Sequence, residues 1–343
     1  MNQNKFISLL ALSRIRCLRP REKLNLLEMF YPVKRIFSLS RREIELLIGR
    51  RLRENNWMPD LFLRQAEKDA ITLRRLDIKI LSILDPEYPE QLKEIFDPPI
   101  LLYYRGVFPD FGNTIVAIVG TRFPTGDARK AAFNLAAELS LKGVCVVSGL
   151  ARGIDCEAHE GSLEGTSSPI AVLGNGIDTV YPFSSKKLAE RLLEKDGVIF
   201  SEYLPGVPPL KYNFPARNRI LSGLSQGVVV IQAPKASGAL ITIDYALDQG
   251  RDVFVHKVGL SGITGAGTWS LAQDGITVIK CADDILNELG IKQKPENSYK
   301  CYASLDKNMG SGEKLARMLE CEISGNMRFQ MDDMSGEGLC QRK

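Results

Sequence analysis

Three cations and an aromatic ring fall within the run KYNFPARNR, Lys211 to Arg219. Lys211, Arg217 and Arg219 can neutralise phosphates, and Phe214 offers a face on which a base can stack. Pro208, Pro209 and Pro215 disfavour an ordinary helix or a central strand, so the run is expected as an exposed loop on a scaffold. Such a loop suits single-stranded nucleic acid.

Other residues with anion-binding chemistry follow short apolar runs. In VGTR, Val119 to Arg122, Gly120 lets a ligand approach the backbone beside Thr121, and Arg122 carries a fork that matches phosphate. The competing reading is a tight strand-to-helix turn with a solvated arginine. In SGLARGID, Ser148 to Asp155, the small residues Ser148, Gly149 and Gly153 precede a helix whose free amides could hold an anion beside Arg152. Asp155 could equally be a helix cap, with Arg152 paired to it. Ser237 and Gly238 open a further helix in ASGALITID, either as amides for phosphate or as an ordinary helix entry. GLSGITGAGTW, Gly259 to Trp269, reads as a mobile glycine-rich loop.

Catalytic and cofactor patterns are missing by comparison. His159 shares its helix with Glu157 and Glu160, but no HxxxH or HExxH spacing occurs, so it reads as a packing residue and no metal is expected. VLGNGID holds a GxG without the third glycine, and no acidic residue closes the next strand at the spacing a dinucleotide fingerprint needs, Ser201 and Glu202 leading instead into the KYNFPARNR segment, which argues against a dinucleotide site. The Walker pattern, GxSxG, paired carboxylates and a nucleophile-base pair are likewise absent, so neither a cofactor nor an enzymatic activity is expected.

The elements that must position these loops are legible from periodicity. Residues 1–80 repeat apolar side chains at helical spacing, as in Leu24, Leu27 and Phe30, between arginines and glutamates that read mainly as a solvated face. Residues 81–110 are proline-rich and turn into a β-forming stretch, read as a linker that becomes an edge strand. Residues 111–290 alternate seven apolar runs (TIVAIVG, VCVVSG, PIAVLG, GVIFSE, GVVVIQA, DVFVHKV, ITVIK) with amphipathic helices, the pattern of an α/β fold on a parallel sheet. Ligands of such sheets collect beyond the carboxyl ends of the strands, so the loops above are expected to converge. Residues 291–343 read as a flexible connector, a short helix from Glu313 to Cys321 and a frayed hairpin.

Composition limits the partners. Net charge is +4, and residues 111–290 carry 16 basic against 18 acidic side chains, so contact with a polyanion must come from placed cations rather than bulk charge. The seven cysteines are scattered without a CxxC pair, which points to a reducing compartment, and no run is long enough to span a membrane. Without a secretory signal in MNQNKFISLLALSRIRCLRP, a cytoplasmic location is expected.

The ordered set VAIVGTR, VVSGLARGID followed by AH, IAVLGNGID then YP, SEYLPG, FPARNRILSGLS, SGALIT and DIL closely resembles the DNA-processing protein A family, also called DprA or Smf. The resemblance covers most of residues 85–290. It implies an extended Rossmann-like fold that binds single-stranded DNA with little sequence preference, forms homodimers and helps load the RecA recombinase onto DNA covered by single-strand-binding protein. Matched residue by residue, the family's DNA contacts fall on Arg122, Lys211, Phe214, Arg217, Asn218 and Arg219. Its small-residue pocket falls on Gly120, Ser148, Gly149, Ser237 and Gly238. It also implies a helical N-terminal domain similar to a sterile-alpha-motif fold. There the sequence departs from the family, with RIRCLRP in place of a glycine-containing hairpin turn. Val258-Gly259 and Thr268 replace the usual Pro-Gly and Asn, and only a reduced version of the terminal winged helix would fit after Gly290.

Two other functions compete with a strand-binding recombination mediator. A phosphoribohydrolase of a related Rossmann-like group would need PGGxGT near GVVVIQA, where this chain has APKASGALIT. A protein adaptor working through the basic N-terminus would bind no oligonucleotide.

Overall fold

The computed structural model describes residues 3–15, 17–53, 57–291, 328–330 and 339–341. Two compact units divide the chain, Met1–Leu289 and Gly290–Lys343. The first opens with helices α1 (Gln3–Arg14), α2 (Pro20–Met29), α3 (Arg41–Ile48) and α4 (Pro59–Arg75). Ser40 begins α3 with a capping box, accepting from the Glu43 amide while Glu43 returns to the Ser40 amide, and Gly49 ends it with a left-handed φ of 69°. Most described basic residues of this region are exposed, in keeping with a solvated face, and a few are paired. Arg50 grips Glu22 with two bonds of 2.7 Å, Arg14 pairs with Asp69 across α1 and α4, and Arg41 pairs with Glu45 along α3.

After β1 (Lys79–Ser82), the single turn α5 (Glu90–Lys93) and β2 (Leu101–Gly106), strand and helix alternate. The order is β3 (Ile115–Val119), α6 (Gly126–Leu141), β4 (Cys145–Ser148), α7 (Ile154–Ser162), β5 (Ile170–Leu173), α8 (Lys186–Glu194) and β6 (Val198–Ser201). It continues with α9 (Asn213–Leu224), β7 (Gly227–Val230), α10 (Gly238–Asp248), β8 (Asp252–His256), α11 (Ala266–Gln273), β9 (Thr277–Ile279) and α12 (Ala282–Glu288). All seven apolar runs form strands. Every residue of β3 to β7 is buried, which is why these strands read as continuous apolar runs and not as alternating ones.

The sheet has nine strands in the order β1-β2-β6-β5-β4-β3-β7-β8-β9, parallel from β6 to β9, with β1 and β2 added antiparallel. The stretch expected as an edge strand, β2, therefore lies one place in, because β1 pairs outside it. β1 begins at Lys79, across the expected boundary at residue 80. Helical residues such as Leu9, Ile36 and Leu73 share one apolar cluster with Leu101 and Tyr103 of β2 and Leu173 of β5. Each fully buried leucine or isoleucine there contributes about 1.5–3 kcal/mol.

The topology fixes where a ligand can enter. From β3 the chain builds outward through β4, β5 and β6, then returns to the other side of β3 with β7, β8 and β9. The loops after β3 and β7 thus leave in opposite directions and open a crevice at the carboxyl ends of the two strands. The glycine-rich segment after β8 contains two short 3-10 turns, Lys257–Leu260 and Ile263–Gly265. Thr268 anchors it: it is fully buried, and its single hydroxyl proton is shared between the carbonyls of Gly259 and Gly265. Among the described residues no helix is long and apolar enough to cross a membrane.

In the second unit β10 (Arg328–Gln330) pairs antiparallel with β11 (Leu339–Gln341), matching the expected hairpin. The helix expected over Glu313 to Cys321 and the connector before it lie outside the described residues.

Candidate nucleic-acid interface

The KYNFPARNR run is not a loop throughout. Lys211 and Tyr212 lead into α9, which starts at Asn213 and carries Pro215 as its third residue. Proline is tolerated there because the first amides of a helix have no intrahelical partner to lose. The turn of α9 then decides which side chains reach solvent. Lys211 is exposed and Phe214 half-buried, whereas Arg217, Asn218 and Arg219 are buried, against the expectation of an exposed cationic loop.

Arg219 is spent inside the protein. Its guanidinium donates to both carboxylate oxygens of Glu202 at 2.8 Å, meets Asp97 at 3.1 Å, and donates to the carbonyls of Asp97 and Ala216. With two carboxylates already on it, Arg219 has no net charge to offer a phosphate and does not line the groove. It ties the end of β6 and the segment before β2 to α9.

Arg217 forms part of the groove floor. One terminal nitrogen donates to the Val172 carbonyl, and its Nε has no acceptor among the described residues. Gly149 leaves the space it needs, since a Cβ there would collide with the guanidinium. The partner expected for Arg152, Asp155, instead lies within the electrostatic reach of Arg217, and Arg152 is exposed. Asp155 is not the helix cap, a place taken by Gly153; its carboxylate accepts from the Ala151 amide and holds the loop after β4. Ser148 is fully buried and donates to the Ile118 carbonyl at 2.7 Å, bracing β4 against β3. Ser148 and Gly149 therefore shape the site from beneath, out of contact with the groove. His159 is also fully buried, a packing residue as expected, and burial lowers its pKa to about 3.

Above this floor the groove encloses about 400 Å³. Gly120, Thr121 and Arg122 form one wall, Lys211, Phe214 and Asn218 a second, and Ser237 with Gly238 a third. The two exposed charged side chains on it, Arg122 and Lys211, are both cations. Gly120 is required by closeness, since a Cβ there would fall 2.6 Å from Ile154. Ser237 caps α10 by accepting from the Ala239 amide, and Asn218 donates to the Gly238 carbonyl at 3.3 Å, clasping α9 to the start of α10. A Cβ at Gly238 would meet nothing, so small size is not what that position needs.

Phe214 seats its ring over Gly174, where a Cβ would fall 2.7 Å from the ring edge. The Arg122 guanidinium lies 5.9 Å from the Phe214 ring centroid and the Tyr181 ring 5.7 Å from it at 46°. Sequence reasoning does not single out Tyr181 or Asp155 as site residues. The YP dipeptide after IAVLGNGID is the available signal for Tyr181, and the SGLARGID run marks Asp155 as a cap or an Arg152 partner but not as a neighbour of Arg217.

Burial raises the Asp155 carboxyl to about 6, opposed by Arg217, the Ala151 and Gly149 amides and Arg122. His159 is lowered by burial to about 3, so it gains no charge in the same range, and burial also lowers His256, which is not among the residues lining the groove. As pH falls from about 7 to about 5, Asp155 takes up a proton and the groove loses a negative charge beside Arg217 and Arg122. Oligonucleotide affinity is expected to rise several-fold over that range in the native protein and to stay flat in Asp155→Asn. Anisotropy titrations at several pH values check this, and an equal rise in the variant would count against it.

The model of the family described as DNA recombination-mediator protein A matches residues 79–290. DNA processing protein DprA of Streptococcus pneumoniae is 41% identical over 207 residues, 60% of this chain and 73% of that protein. Protein Smf of Borreliella burgdorferi is 33% identical over 292 residues, 85% of this chain and 91% of that one. Among solved structures, DprA from Streptococcus pneumoniae superposes with a TM-score of 0.69 at 34% identity, covering 84% of this chain and 98% of that one. DNA processing protein A from Helicobacter pylori, solved for its single-stranded DNA binding mode, gives 0.54 at 30% identity, covering 62% and 95%.

Proposed function

Since the chain belongs to the DNA recombination-mediator protein A family, also named DprA or Smf, we propose that its groove holds single-stranded DNA during recombination. The observation that carries this reading is the pairing of Arg122 and Lys211, both exposed, around the half-buried Phe214 at the crevice between β3 and β7. The cations take backbone phosphates and the aromatic ring takes a base. Stacking on an aromatic face tolerates any base, so little sequence preference is expected. In this reading the protein binds and hands over its strand without chemistry, and the floor residues Arg217 and Asp155 are held by the fold.

Family membership is what supports the rest of the proposal. The strand is passed to the RecA recombinase, single-strand-binding protein is the competitor on the DNA, and the working unit is a homodimer. Mass measurement in solution and RecA filament assembly on coated DNA test those parts directly.

The groove itself is tested by comparing single- and double-stranded oligonucleotides across salt. Single strands should bind tighter, and a preference for duplex would reject the reading. Phe214→Ala should weaken single-strand binding by about 1–3 kcal/mol, the usual worth of one stacked base. A thermal melt on the same sample separates this loss from the packing of Phe214 on Gly174.

A further inference from the structure

Beyond Phe214 the aromatic surface continues. Tyr181 is 48% exposed and Phe183 79% exposed, both in the segment joining β5 to α8. Tyr181 lies against Phe214, and Phe183 is two residues further, a backbone step of roughly 7 Å at most. The pairing of ring and cation seen at Phe214 and Arg122 recurs here, with the Lys186 ammonium 5.8 Å from the centroid of the Phe183 ring. Lys186 pairs with Glu190, 3.8 Å away on the solvent face of α8, an exposed pairing that a phosphate could readily replace.

The segment is also held in place. Ser185 is buried, its hydroxyl donates to the Leu150 carbonyl at 2.9 Å, and its amide donates to the Pro182 carbonyl at 3.0 Å. This fastens the aromatic segment to the β4–α7 loop, whose Gly149 makes room for Arg217 and which leads into Asp155. One exposed phenylalanine needs no explanation, but a row of rings continuous with the groove and paired with cations is a surface with a partner. Alternating rings and ammonium or guanidinium groups complement a strand whose bases and phosphates alternate at similar spacing.

We propose that Tyr181, Phe183 and Lys186 form a second stacking subsite, which takes the nucleotides of a single strand next to the one on Phe214. The inference rests on the single-strand reading above. It makes the β5–α8 segment part of the DNA path and gives the groove a direction, from Ser237 past Phe214 toward α8.

Anisotropy titration of the full chain with oligothymidylates of about 4 and about 16 nucleotides tests it, using Phe183→Ala, Phe183→Tyr and Phe214→Ala. Phe183→Ala should bind the long oligonucleotide about 5- to 100-fold more weakly, bind the short one like the native protein, and be restored by Phe183→Tyr. Phe214→Ala should weaken both lengths. Native affinity of Phe183→Ala for the long strand, or equal loss on both lengths, overturns the second subsite while leaving the groove intact. Failure of the native protein to bind either length overturns the single-strand reading itself. Phe183 is exposed, so loss of fold in Phe183→Ala is not expected, and a melting curve verifies it.

Discussion

Arg122→Glu combined with Lys211→Glu is expected to reduce single-strand affinity by roughly 100-fold or more, with the protein still folded. Both side chains are exposed, so the charge reversal leaves the core untouched. The slope of log affinity against log salt falls by about 0.7 for each phosphate of a single strand that is no longer neutralised, so the double variant should bring it down by about 1.4. The two readouts separate causes: a weaker affinity with an unchanged salt slope would mean that these cations do not meet phosphates. Arg217→Glu, the substitution that the sequence alone would suggest, is a poor probe. It would bury a carboxylate beside Asp155 in a pocket shaped for a guanidinium, and weaker binding would then report a damaged fold.

Arg219→Met should behave in the opposite manner, lowering stability by about 3–5 kcal/mol while the folded fraction binds the strand nearly normally. Arg219 is 4% exposed and holds Glu202 and Asp97, whose side chains keep 27% and 33% of their exposure. Removing the cation leaves two carboxylates facing each other with their shared partner gone. Glu202→Gln should cost less, because that carboxylate reaches water and Asp97 still serves Arg219. Urea denaturation of the two single variants and the double variant measures the coupling, and additive effects would show that the pair does not interact. A salt slope for Arg219→Met below that of the native protein would return Arg219 to the DNA surface.

The two results would divide one cationic motif into a binding part and a structural part. Lys211 meets solvent ahead of α9, Arg217 floors the groove, and Arg219 locks α9 to the sheet edge. A screen that treats all three as equivalent phosphate ligands would find loss of function at each and misread the cause at two of them.

Much of this architecture is written locally. Buried parallel strands need apolar side chains on both faces, so the five strands from Ile115 to Val230 stand out as continuous apolar blocks. Strand ends in a parallel sheet lie at one side, so the convergence of the VGTR, SGLARGID and SGALIT turns follows from their order alone. Close approaches that exclude a Cβ, as at Gly120 and Gly149, also leave a glycine in the sequence, although the atom that needs the space is not recorded there.

Exposure and partnership required the fold. Pro215 is compatible with both a loop and the first turn of a helix, and only the seating of Phe214 over Gly174 and of Arg217 over Gly149 selects the helix. Arg219 meets Glu202 across 17 positions of sequence and Asp97 across 122, distances over which no local pattern signals pairing. By itself the sequence determined the α/β scaffold, the positions of its glycine- and serine-bearing strand-end turns and the supply of cations, because backbone periodicity and side-chain type act locally. The tertiary structure decided which of those cations keep their charge for a ligand, because burial and neutralisation depend on groups that only folding brings within reach.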